Sequence, residues 1–145
     1  RELGDRLEVA RLLLLQGQLM LEGGDPRSAL ELLEQATGRA RELGACDLEG
    51  SALATLANAY VQIGESHRGS GLLAQGEQLL TLDAPRGSLA LVDCLCHRAE
   101  LELRGGSSDA ARVTLERLAT LTRDLGPLPP EPRRAIATLR RHLGG

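Results

Sequence analysis

The chain has 145 residues, is 42% hydrophobic and carries a formal net charge of −3 at neutral pH. That size and composition suit one folded domain better than a disordered chain, and the acidic balance argues against nucleic acid as the main partner. With no Trp, no Phe and one Tyr, the core must be built from Leu, Ala and Val, and the surface offers no aromatic platform for stacking on bases.

In chain order, leucines spaced i, i+3, i+4 and i+7 predict a first helix over 6–22, ended by Gly23-Gly24. Asp25-Pro26 opens a second helix running to about Gly44: Asp caps an orphan amide, and Pro at the first helical position gives up an N–H that has no partner there. A third helix runs from Asp47 to Ile63, Ser66 caps a fourth, and Asp83-Ala84-Pro85 breaks the chain before a fifth from Gly87 to Arg104. Ser107 or Ser108 caps a sixth. The stretch 126–132, GPLPPEP, reads as a Pro-rich linker, because prolines lack donors and restrict the residues before them. Beyond it, 133–145 forms a short seventh helix with Ile136, Leu139 and Leu143 on one face and Arg133, Arg134, Arg140 and Arg141 on the other. We read it as a solvating cap, with a docking element for acidic partners as the alternative.

Three of these stretches repeat one another: Gly23–Ala36, Gly64–Leu79 and Gly105–Leu118. Gly24, Gly64 and Gly106 lie 40 and 42 residues apart, each followed at five residues by Ala29, Gly69 or Ala111 and at nine by Leu33, Leu73 or Leu115. A fixed period of this kind marks units that bury their apolar faces only by stacking. The expected organisation of 1–125 is three helical hairpins, at 6–44, 46–83 and 86–124.

The unit resembles the tetratricopeptide repeat. Leu56, Ala57, Tyr60 and Gly64 fall on that family's Leu, small, Tyr and Gly positions, and Gly17, Met20, Gly24, Ala29, Leu33 and Ala36 match in the first unit. The third keeps Ala99, Gly106, Ala111 and Leu115 but has Glu102 in place of Tyr. The period exceeds the usual repeat of about 34 residues, so the resemblance is to the long-helix variant of bacterial regulators and scaffold proteins. It implies an all-α, right-handed solenoid of three helix pairs plus a capping helix, serving protein–protein interaction in the cytoplasm. That all 17 basic residues are Arg fits a GC-rich bacterial source.

In such a stack the first helix of each pair lines a concave groove. The stripes that would face it are Arg11, Leu15, Gln18, Glu22; Ser51, Thr55, Asn58, Gln62; and Asp93, His97, Glu100, Arg104. The middle row is uncharged and contains the only Asn of the chain, which suits an extended backbone or a helix laid across it. Related grooves clamp acidic termini with basic side chains, but the corresponding positions hold Leu14, Ser51 and His97. A groove positive at Arg11 and acidic at Asp93 and Glu100 suits a protein or peptide segment with a basic group. Nucleic acid and membrane are not expected partners, and self-association is the remaining one. The chain begins at Arg1 and is expected to be part of a larger regulatory protein. A domain sensing a ligand or signal peptide is the alternative function.

No reaction is indicated. Asp93 and His97 sit four apart on one helical face without a nucleophile, and Cys94 and Cys96, two apart on a helix, point about 200° from one another and cannot share one tetrahedral zinc. Cys46 completes an odd count that suits buried or reduced thiols. Glu31 and Glu34 read as solvent-face charges, and phosphate-loop and nucleophile-elbow motifs are absent. No cofactor, no metal and no enzymatic activity are expected.

Overall fold

The structure, a computed structural model, describes residues 2–82 and 88–144. Among them the chain is all α: α1 Glu2–Glu22, α2 Pro26–Glu42, α3 Cys46–Gln62, α4 Ser66–Leu82, α5 Ser88–Arg104, α6 Ser108–Leu125 and α7 Pro130–Leu143. The break expected at Asp83-Ala84-Pro85 and the expected helix start at Gly87 lie outside the described residues.

Helices stop where the sequence supplies a residue that tolerates positive φ. Gly24, Gly44, Gly64 and Gly106 adopt φ of 85°, 67°, 92° and 81°. Each is followed by an amide that reaches back five residues to the closing helix, as in Asp25 N to Met20 O at 2.9 Å, Ala45 N to Ala40 O at 3.0 Å, Glu65 N to Tyr60 O at 2.8 Å and Ser107 N to Glu102 O at 2.8 Å. One turn design therefore joins helices both within and between the expected hairpins. Asp25 caps α2 by accepting from Ser28 N at 3.2 Å.

Three expected helix starts differ, those of α1, α4 and α7. α1 starts at Glu2 rather than near Arg6; Glu2 and Asp5 in its first turn favour the positive end of the helix dipole. Ser66 is the first helical residue of α4, and the capping place falls to Glu65, whose carbonyl accepts from Gly69 N at 3.0 Å. Ser107 takes the N-cap position of α6 but makes no side-chain cap bond. The largest change is at the Pro-rich stretch. Only its first part is linker, because α7 begins at Pro130 and takes in Glu131 and Pro132. A proline in the first turn forfeits only an amide that has no helical partner.

Each helix packs on the next in sequence, and α1, α3, α5 and α7 also touch in that order, whereas the backbones of α2, α4 and α6 do not come close to one another. Close approach of α3 and α4 depends on glycine: a Cβ on Gly50 would lie 2.6 Å from Leu80 Cγ, and one on Gly76 would lie 2.9 Å from Gly50 O. The small residue of the repeat does the same work, since a Cβ on Gly69 would meet Ala57 O at 2.8 Å, and Ala29 and Ala111 are fully buried.

The core falls into two clusters. Leu14, Leu21, Ala29, Leu33, Leu56 and Tyr60 build one; Leu73, Leu80, Val92, Leu95, Leu118, Ile136 and Leu139 belong to the other. Leu72 packs against both. Leu33 and Leu73 are buried as their repeat positions require, but Leu115 is only half-buried, and Leu118 takes the deepest place on α6. Glu77 of α4 joins α5 and α6, accepting from Arg98 at 2.8 Å and from Arg117 at 2.6 Å.

Candidate binding groove

The contacts among α1, α3, α5 and α7 leave a recess of about 290 Å³, open to solvent, where four helices contribute side chains. Gln18 and Glu22 come from the last turns of α1, Ser51, Thr55 and Asn58 from the middle turns of α3, Asp93 and His97 from α5, and Glu131 from α7. Ala54 and Ala90 floor it. A smaller recess continues from it, sharing Asn58 and His97 and adding Glu100 and Arg104.

Nine of the eleven polar positions expected in the groove therefore line these two recesses, and the other two do not. Arg11 is exposed and pairs with Glu8 at 3.9 Å on its own helix. Gln62 is exposed at the end of α3. The stripes are staggered: the C-terminal end of α1 lies against the N-terminal half of α3, which leaves Arg11 and Leu15 beyond one end of the recess and Gln62 beyond the other. Leu14, set against the clamp pattern, is buried in the core.

The middle row also offers fewer free groups than its composition suggests. Thr55 Oγ1 donates to Ser51 O at 2.9 Å, so it presents only acceptor capacity. Asn58 Oδ1 accepts from Gln62 Nε2 at 3.4 Å, a long bond on the exposed side, while its amide N–H₂ has no partner among the described residues. Ser51 and Asn58 thus carry most of the hydrogen-bonding capacity of α3.

The electrostatics are acidic. Among the described residues Glu22, Asp93 and Glu131 line the larger recess and no Arg does, so the positive end expected from Arg11 is not found there. Loss of hydration raises the Asp93 carboxyl above its ordinary value; the neighbouring His97 opposes this and Glu131 adds to it. His97 does not bond to that carboxylate. Its Nδ1 lies 2.8 Å from Asp93 O, and since a carbonyl can only accept, Nδ1 is the donor. No hydroxyl or thiol is hydrogen-bonded to His97 among the described residues.

Glu131 was hidden from sequence reading, because a stretch with four prolines reads as linker. The signal that could have found it is the placement of Pro130 ahead of an amphipathic run, which marks a first helical turn. Ala90 could have been added at i−3 from Asp93.

Neither Cys94 nor Cys96 lines these recesses. Cys94 and Cys96 are buried and pushed up to about 12 by loss of hydration, so both stay protonated and pack as small apolar groups. Cys94 Sγ lies 3.6 Å from Leu73 O. Among the described residues no group of three or more His, Cys, Asp or Glu could hold a metal ion, and no helix is long and apolar enough to cross a membrane.

Compared with known proteins, the chain matches no family model, and no curated protein matches it either.

Proposed function

We propose that the chain is a peptide-binding module of the tetratricopeptide type: a right-handed α-solenoid of three helix pairs, closed by α7, that holds a segment of a partner protein in its groove as part of a larger regulatory protein. One observation carries this reading. Polar side chains from three successive repeats, with Glu131 from α7, converge on a single open recess, which suits a chain laid across it better than an enclosed small molecule. Three carboxylates and no guanidinium in that recess favour a segment bearing Arg or Lys. No catalytic role is assigned, since the recess couples no nucleophile to a base.

A peptide library displayed on phage and selected against the immobilised protein tests this. Enriched sequences should carry a basic residue, and their synthetic forms should lose about 5- to 150-fold in affinity toward Asn58→Ala, the equivalent of roughly 1–3 kcal/mol for a desolvated group left unpaired. Asp93→Asn should relax the preference for the basic residue. Enriched peptides that bind both variants like the parent would place the site elsewhere.

A further inference from the structure

The two ends of the helix row are chemically opposite. α1 is apolar on two sides: one face packs on α2 and α3, and the other leaves Val9 41%, Leu12 49%, Leu15 51% and Leu19 57% exposed in a single stripe. Isolated exposed leucines are ordinary, but a stripe along one helix face is not. It is bounded by carboxylates, with Asp5 and Glu8 before it and Glu22 after it, all exposed. Over its length α1 carries Glu2, Asp5, Glu8 and Glu22 against Arg6 and Arg11. At the other end, α7 buries Ile136, Leu139 and Leu143 and turns outward Arg134, Ala137, Thr138 and Arg141, with Arg133 and Arg140 alongside.

From this pairing of faces we infer that the protein associates head to tail, the outer face of α1 in one copy seating on the outer face of α7 in the next. Charge selects the occupant. Two α1 faces brought together, parallel or antiparallel, set carboxylates against carboxylates at the ends of the leucine stripe, and two α7 faces set arginines against arginines. Only α1 on α7 joins opposite charges, and arginine stems can cover leucines while their guanidiniums reach the acidic rim. Within one copy α1 touches α2 and α3 while α7 touches α5 and α6, so these two outer faces do not meet each other within the row. A heterologous contact of this kind does not stop at a dimer. It buries little area for a stable complex, below about 1,200 Å², so it is weak and grows with concentration. The contact shares Glu22 with the rim of the groove, but none of the four side chains substituted below lines that recess, so its test is separate from that of peptide binding.

Sedimentation across a concentration series tests it with two variants whose substituted side chains are all exposed, so that folding is preserved; circular dichroism checks this. Leu12→Lys/Leu19→Lys removes the α1 face, and Arg134→Glu/Arg141→Glu removes the α7 face. The parent should form a ladder of oligomers that shrinks with added salt. Each variant alone should be monomeric, and an equimolar mixture should give a one-to-one complex and nothing larger, because each variant retains the one end the other lacks. A parent that stays monomeric to its solubility limit overturns the inference and leaves the α1 stripe to a different protein. So does a parent that stops at a dimer, a variant that still oligomerises alone, or a mixture that fails to pair.

Discussion

Gly71 and Gly76 stand five residues apart on α4 and differ in what lies opposite them. A Cβ on Gly76 would meet Gly50 O at 2.9 Å, whereas one on Gly71 would meet nothing within 4 Å. Gly76→Ala should therefore force α3 and α4 apart and cost about 1–3 kcal/mol, while Gly71→Ala should stabilise by about 0.5–1 kcal/mol through helix propensity. Thermal melts of the two variants should move in opposite directions. Carboxylates differ in the same way. Burial alone would raise Glu77, but its bonds to Arg98 and Arg117 outweigh that and hold it below its ordinary value. Its contribution to stability is thus present above the unfolded carboxylate pKa and lost as pH falls through the lowered folded one. Asp93 is raised, so its ionised form opposes folding at neutral pH, and the penalty disappears as pH falls through its folded pKa toward the unfolded one. Denaturant midpoints taken across pH should show Glu77→Gln less stable than the parent at neutral pH, and Asp93→Asn more stable. Both differences should shrink in acid.

At the scale of the element, α7 does two things at once. Ile136 and Leu139 enter the larger core cluster, and Glu131 stands at the groove. Leu139, 2% exposed, should cost roughly 2–5 kcal/mol on replacement by Ala, read as a fall in the denaturant midpoint. Glu131→Gln should leave that midpoint nearly unchanged and weaken binding of peptides with a basic residue. If both substitutions acted only on stability, α7 would be a cap and nothing more. The helices themselves were legible because their stops are local: a left-handed glycine and an amide reaching back five residues depend on the chain nearby. The start of α7 was not, since a proline-rich stretch gives the same composition whether its last prolines open a helix or extend a linker. Docking of Pro132, Ile136 and Leu139 settles that choice.

For the whole molecule, backbone contacts among the described residues run between helices adjacent in sequence and between successive odd helices, with the Glu77–Arg117 pair joining α4 to α6. Few distant segments must meet, so stability should vary along the row rather than act as a single block. α3 touches α1, α2, α4 and α5 and has nine buried positions. Native-state hydrogen exchange should show greatest protection in α3, falling toward α1 and α7. Uniform protection from α1 to α7 would mean that the row unfolds as one unit.

The sequence by itself determined that the chain is helical, where most helices stop, which small residues lie at close approaches and which face of α7 is apolar. These follow from spacing, from glycine's tolerance of positive φ and from the steric needs of a repeated contact, all readable within a few turns of chain. Tertiary structure decided how far each helix slides along its neighbour. That offset brought Gln18 and Glu22 beside Ser51 and Asn58, left Arg11 and Gln62 outside, and added Glu131 from a segment more than 100 residues from Gln18. It also turned a groove expected to be positive at one end into an acidic one. No local pattern encodes such an offset, because it is set by how buried side chains on two helices interlock: Leu33 fits where Gly17 lacks a Cβ, and Leu80 where Gly50 does.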